Sequence, residues 1–366
     1  MAESLAEFFL TTFRAHRDER AYGQRRGYRT EWFTYGQVLG MAFQFCRELE
    51  ARGIGKGERV MLWGENCAEW VAAFFGCALC GVIAVPMDDG ASADFAARVA
   101  RQVEARLCVC SRKHVRHMGV ADVAPCLVLE DLSQIADGRP ALPSDVKLTI
   151  RGDDTLQIVF TSGTTADPRG VVITHGNVLA NIAPLEREMQ GYLKYERWVH
   201  PVRFLNLLPL SHVFGQFLGM FLPPLLGGTV IFQEEMKPSE IVNTIRRERV
   251  SVLVSVPRVL QSLKQKMERD LEDRGEIETF QRRFRAGERS RRRRPCGPGS
   301  AAPVVRSAAR RCRGFRPPRW QIPSPRRAPG AAALSAAPVR ALRGSRRSTG
   351  ARGCGPSRRG SAGRRP

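Results

Sequence analysis

The charge of this chain stops being mixed at one point, and that point limits where a fold can form. From Arg289 to Pro366 there are 22 arginines and no lysine, aspartate or glutamate, so this stretch accounts for the whole formal charge of +22. Residues 1–288 carry 36 basic and 36 acidic groups and are neutral overall. Arg, Ala, Pro, Gly and Ser fill 65 of the last 78 positions, with two leucines and one isoleucine among the rest. So little apolar surface cannot offset the entropy of ordering a backbone. A packed fold is therefore expected in residues 1–285, and 286–366 are expected to form a disordered Arg/Ala/Pro/Gly/Ser-rich tail. Neutrality excludes a basic nucleic-acid-binding body. Nucleic acid is expected only through non-specific, salt-sensitive contact with the tail. Arg, Pro, Ala and Gly, whose codons can consist of G and C alone, fill 56 of those 78 positions. The abrupt change between about Phe280 and Arg289 therefore also fits a shifted reading frame.

Within the body, short apolar runs alternate with helical patterns. Strands are predicted over 58–63, 81–86, 107–110, 126–129 and 250–256, and helices over 67–79, 95–104 and 239–249. After Pro257, the residues Val259, Leu260, Leu263, Met267 and Leu271 make a further helical stripe. This alternation argues for an α/β fold with largely parallel sheets and flanking helices. Residues 70–87 contain no charge over 18 positions, the lower limit for a membrane span. Gly76 and Gly81 interrupt the run and Pro86 closes it, so a buried helix and a buried strand are expected, with no transmembrane segment. The apolar stretch 204–232 is read as a core helix beside a substrate pocket, although Pro209, His212, Pro223 and Pro224 break it up.

Seven cysteines in the body, an odd number in mostly apolar surroundings, suit free thiols in a reducing compartment. No basic start followed by a long apolar run opens the chain, and a cytoplasmic protein is expected. Cys77 and Cys80 have redox-motif spacing but lie in an apolar helix, which points to core packing. His114 and His117 stand among Ser111, Arg112, Lys113 and Arg116 without partners at metal-ligand spacing. A solvated basic face is expected there, and no metal site is assigned.

The most informative segment runs Leu156-Gln-Ile-Val-Phe160, Thr161-Ser-Gly-Thr-Thr165, Ala166-Asp-Pro-Arg-Gly170 and Val171-Val-Ile-Thr174. It reads as strand, hydroxyl-rich loop, turn and second strand. Thr161, Ser162, Thr164 and Thr165 offer donors to phosphate oxygens, and Gly163 lets the backbone approach closely. Arg169 adds a fixed charge capable of bidentate phosphate contact. No Gly-x4-Gly-Lys-Ser/Thr loop is present. On composition alone, a polar hairpin turn competes with the phosphate-binding reading.

The run from Phe160 to Asn177 resembles the signature loop of the AMP-forming adenylating enzymes, which include acyl-CoA synthetases, luciferases and peptide-synthetase adenylation domains. Ala166 stands where that family usually has Gly, and Arg169 where it usually has Lys. Asn206-Leu-Leu-Pro-Leu-Ser-His-Val-Phe-Gly-Gln216 resembles the family segment bordering the acyl pocket. Weaker resemblance covers Thr34-Tyr35, 53–60, 66–70 and 250–260, and ends near residue 280.

The resemblance implies ATP, Mg²⁺ and coenzyme A as reaction partners. A carboxylate, expected to be a long-chain fatty acid or another apolar acid, would attack the α-phosphate to give an acyl-adenylate, and the thiol would then take the acyl group. Residues Thr161 to Thr165 and Arg169 would clamp the β- and γ-phosphates. His212 would position the acyl carboxylate, and Val213, Phe214 and Gly215 would help wall the substrate tunnel. The family's aromatic-Gly-x-Thr-Glu motif, ribose-binding Asp and mobile-domain Lys lie C-terminal to the matched region. After Glu288 this chain has no Asp, Glu, Lys or Tyr. A truncated synthetase, inactive as written, is therefore expected. The alternatives are a non-catalytic nucleotide-binding remnant and a protein whose Arg-rich tail binds nucleic acid.

Overall fold

The computed structural model describes residues 2–26, 29–116, 123–136, 148–161, 168–196 and 200–283, all within one compact unit, Met1–Ile322. Eleven strands appear among these residues. They are β1 (Arg20–Arg26), β2 (Arg29–Thr34), β3 (Arg59–Trp63), β4 (Ile83–Met87), β5 (Leu107–Cys110), β6 (Cys126–Val128), β7 (Thr155–Thr161), β8 (Arg169–Thr174), β9 (Arg203–Asn206), β10 (Thr229–Phe232) and β11 (Val252–Val254). They form a five-stranded sheet in the order β11-β9-β10-β1-β2 and a six-stranded sheet in the order β6-β5-β3-β4-β7-β8. Each sheet is parallel except for one antiparallel edge strand, β2 in the first and β8 in the second. The α/β expectation with largely parallel sheets holds.

Helices α1 (Leu5–Ala15), α2 (Tyr35–Ala51) and α3 (Ala68–Cys80) fill the space the two sheets share. Thr34 starts α2 because its hydroxyl accepts from Gln37 N while the Gln37 side chain accepts from Thr34 N, satisfying two otherwise orphaned donors. Residue Gly81 ends α3 with φ 71°, a left-handed turn that favours glycine. Every residue of α3 except Cys80 is buried. That explains the uncharged run 70–87, since a helix apolar on all sides needs neighbours on all sides. No helix among the described residues is long and apolar enough to cross a membrane. Helix α4 (Ala93–Gln102) covers the other face of the second sheet through Ala96, Ala97, Val99 and Ala100.

Two expectations need correction. The stretch 204–232 is not a core helix. It opens as β9, passes through three short helical segments of α, π and 3-10 type (Val213–Gln216, Phe217–Phe221 and Pro223–Leu226), and closes as β10, which pairs in parallel with β9. Pro223 and Pro224 lack the N–H groups that a continuous helix would need. His114 is not on a solvated face either. It is 7% exposed and stacks on Trp63 at 4.0 Å and 9°. His117 lies outside the described residues.

Candidate functional site

Parallel sheets open their ligand crevices at the carboxyl ends of their strands, and the candidate residues gather there. Strand β4 pairs with β7 through Ala84 and Gln157. Continued four residues along both strands, that register sets Asp88 level with Thr161, where the hydroxyl loop begins. Across the β7–β8 hairpin, Thr161 faces Arg169, which is exposed. Ser162, Gly163, Thr164 and Thr165 lie outside the described residues, as does Ala166.

The segment after β9 is drawn to the same edge by side-chain amides. The Asn66 amide donates to Leu208 O at 2.7 Å, and its oxygen accepts from Leu210 N at 2.8 Å. Asn66 follows β3, so one residue ties the second sheet to the chain leaving the first. Gln157 and Gln216, both fully buried, exchange two hydrogen bonds of 2.8 Å. This amide pair fixes the turn Val213–Gln216 against the middle of β7. Gly215 lies so close to the Pro209 carbonyl that no side chain fits there. Val213 and Phe214 point outward, Phe214 at 63% exposure.

His212 therefore arrives beside Asp88. Its Nε2 is 3.5 Å from Asp88 Oδ2, and Ser211 Oγ donates to the same oxygen at 3.3 Å. The contact with the Asp88 carboxylate raises the His212 pKa above the ordinary imidazole value, against opposing burial. Asp88 is lowered, first by His212 and then by Gly90 N, which donates at 2.8 Å. Both side chains are well exposed, so solvent screens the pair. The neighbouring Asp89 receives His114 Nε2 at 2.8 Å and Lys113 Nζ at 2.9 Å. Lys113 also pairs with Glu65. Two consecutive aspartates at the end of β4 thus each hold a histidine. Sequence reasoning passed over both, although Met87-Asp-Asp-Gly90 directly follows a strand predicted to be parallel.

The structure pairs Thr161 with Arg169 across the β7–β8 hairpin and His212 with Asp88 after β4, with Val213 to Gly215 immediately beyond His212. Among the described residues no group of three His, Cys, Asp or Glu side chains is arranged to hold a metal ion. Cys77 and Cys80 pack in α3, Cys77 being fully buried, as expected.

The model of the family described as AMP-binding enzyme matches residues 9–348. That match runs past the composition change, whereas the sequence resemblance was expected to end near residue 280. A crotonobetaine/carnitine–CoA ligase of Escherichia coli (strain K12 / DH10B) is 28% identical over 233 residues, which cover 58% of this chain and 42% of the relative. YngI of Bacillus subtilis (strain 168) is 26% identical over 261 residues, covering 62% of this chain and 46% of YngI. The chain thus spans about half the length of the curated relatives it matches. The solved o-succinylbenzoate coenzyme A synthetase of Bacillus subtilis, in complex with AMP, superposes with a TM-score of 0.57 at 20% identity. That superposition covers 71% of this chain and 64% of the synthetase, and shows a shared fold.

Proposed function

The chain belongs to the AMP-binding enzyme family, and from that membership we propose that it carries the phosphate-loop half of a site that activates a carboxylic acid with ATP. The observation that supports this reading is the Asp88–His212 pair just after β4, the strand that neighbours the β7–β8 hairpin carrying Thr161 and Arg169. Arg169 would bind the departing phosphates through charge-assisted hydrogen bonds. With Nε2 turned to Asp88, His212 has Nδ1 available for the acyl carboxylate. The raised pKa keeps more of its imidazole cationic near neutrality, which suits an anionic substrate. Mg²⁺ bound with the ATP would neutralise phosphate charge alongside Arg169. Coenzyme A would accept the acyl group from the adenylate, as the names of several relatives imply for those proteins.

The acid is proposed to be apolar, a fatty acid being the simplest case. Support comes from the exposed Val213 and Phe214 beside His212 and the apolar stretch that follows. Turnover by this chain alone is expected to be negligible. Residues 289–366 contain no carboxylate that could hold ribose and no lysine. Losing several members of a cooperative site removes most of its rate enhancement.

Calorimetry with ATP and pyrophosphate release with a fatty acid test both halves of this reading. Binding of ATP without turnover is expected, weakened about tenfold by Arg169→Ala. Acid-dependent pyrophosphate release by the chain alone would sink the claim of inactivity. ATP binding unchanged by Arg169→Ala would sink the site assignment. The coding DNA supplies a separate check on the tail. If a frame shift produced it, another forward frame near the codon for Phe280 should stay open and encode Asp, Glu, Lys and Tyr.

A further inference from the structure

Three of the seven cysteines in the body meet on one face of the second sheet, and the ligase reading uses none of them. Cys108 and Cys110 are two residues apart on β5, so their side chains leave the same face. Both are almost completely buried in the cluster under α4, with Ala96, Val99 and Ala100. Cys126 opens the neighbouring strand β6, the edge of the sheet, and pairs directly with Cys108 in parallel register. It packs against the same cluster but is only partly buried.

We infer that Cys126 and Cys108 form a peroxide-sensitive thiol pair, with Cys126 as the attacking sulfur and Cys108 as the resolving one. Spacing selects the partner. Neighbouring strands lie about 4.8 Å apart, inside the Cα separation of about 4.4–6.8 Å that a disulfide spans. Cys110 lies two residues further along, at roughly 8 Å on the same geometry, outside that range. Exposure selects the attacker, since the other two thiols are sealed from solvent. The neighbouring thiols lower the Cys126 pKa, and its own thiol donates to Ala124 O at 3.6 Å.

The chemistry balances with one hydroperoxide. The Cys126 thiolate attacks an oxygen of the peroxide, forming an S–O bond as the O–O bond breaks, and the departing hydroxide is protonated to water. Cys108 sulfur then displaces hydroxide from the Cys126 sulfenic acid, forming the S–S bond, and its own proton completes a second water. Two thiols are oxidised and one peroxide is reduced. The product would staple the edge strand β6 to β5. Cys110 leads directly into Ser111, whose Oγ accepts from Glu65 N at 3.3 Å, so the cross-link at Cys108 sits two residues behind the end of β5.

The test uses the full chain with hydrogen peroxide, followed by alkylation and tandem mass spectrometry. Residues 107–112 and 117–147 should emerge as one trypsin product joined between Cys126 and Cys108, and dithiothreitol should separate them. Cys67, also partly buried, is the internal control. Trapping of sulfenic acid at Cys126 should exceed that at Cys67 by about tenfold, as expected for a thiolate-favoured sulfur. In Cys126→Ser the cross-link should vanish and Cys108 should stay reduced. Equal trapping at Cys126 and Cys67 without a cross-link would overturn the inference, and so would a link to Cys110. The wild-type measurement decides the matter even if the variant folds poorly.

Discussion

Helix α3 is apolar on all sides, whereas the helix Pro257–Asp273 carries one apolar stripe among charged residues, and the two end in opposite surroundings. In α3 only Cys80 escapes burial, whereas in Pro257–Asp273 only Leu263 is buried. The neighbours of each helix match its pattern. α3 touches α1, α2, β1, β3 and β4, and so packs against strands of both sheets. Pro257–Asp273 lies on the outer face of the first sheet, where Leu205, Leu207, Ile231 and Ile241 join Leu263 in a small cluster. Strands β9 and β10 show the division by alternation. Phe204, Val230 and Phe232 face the shared core, and Leu205 and Ile231 face the thin outer cover. A local pattern can specify a helix, but the number of surfaces that close on it sets how much it stabilises the fold.

The largest effect should come from the centre of the shared core. Phe75 is fully buried on α3 and stacks on Phe9 of α1 at 3.9 Å and 12°. Removing such a ring leaves a cavity lined by groups that cannot collapse into it. Phe75→Ala should cost about 3–5 kcal/mol in urea unfolding. A cost near that of a surface substitution would mean that α3 is not the element joining the two sheets.

Acid should find a weaker point in the second sheet. His175 starts the helix His175–Glu196 after β8, is fully buried, and has no hydrogen-bond partner on either ring nitrogen. Burial lowers its pKa to about 4, with nearby Asp154 opposing the shift and Lys56 adding to it. The folded protein therefore keeps the ring neutral where an unfolded chain binds a proton. Stability from this group is complete above pH about 6.5 and is lost as pH falls through about 4, an effect on the order of 3 kcal/mol. His175→Phe should flatten that part of the pH–stability curve relative to the wild type. Parallel curves for the two proteins would show that the imidazole is satisfied, for instance by an internal water.

How much of this was legible in the sequence follows the same division. The strands 58–63 and 107–110, and the buried helix at 67–79, could be read because each has an unbroken local signal. Gly76 could be recognised as an interruption of a membrane-like run, but not for its reason. A Cβ there would lie 2.7 Å from Ala42 O on α2 and 2.8 Å from Phe45 Cδ1, so glycine permits the close approach of the two helices. Gly76→Ala should accordingly cost about 1–3 kcal/mol through overpacking, measured in the same urea titrations. The Asp88–His212 pair joins residues far apart in sequence and exists only once two sheets meet. The hairpin β1–β2 carries Arg20, Gln24, Arg25, Arg26, Arg29 and Glu31, and strands so rich in charge lack the apolar run used to find the others. His114 was misread because its basic neighbours are exposed while its own ring is covered by Trp63.

The smallest expected effect is the one that can break the comparison. Leu260 and Met267, on the helix Pro257–Asp273, are 50% and 52% exposed, and Val256 just before it is 44% exposed. Most of their apolar surface is already in water, so Leu260→Ser should change stability by less than about 0.5 kcal/mol. The same change at Leu263, which is buried against Ile241 and Leu205, should cost several times more. Measured together, the two variants separate a helix that merely rests on the sheet from one that something further covers. If Leu260→Ser is as costly as the change at Leu263, the outer face of the first sheet is closed in solution. The contrast with α3 would then reflect a missing neighbour, not a weak helix. If Leu260→Ser is neutral and improves solubility at high protein concentration, the stripe is open, and its apolar side chains supply contacts for self-association.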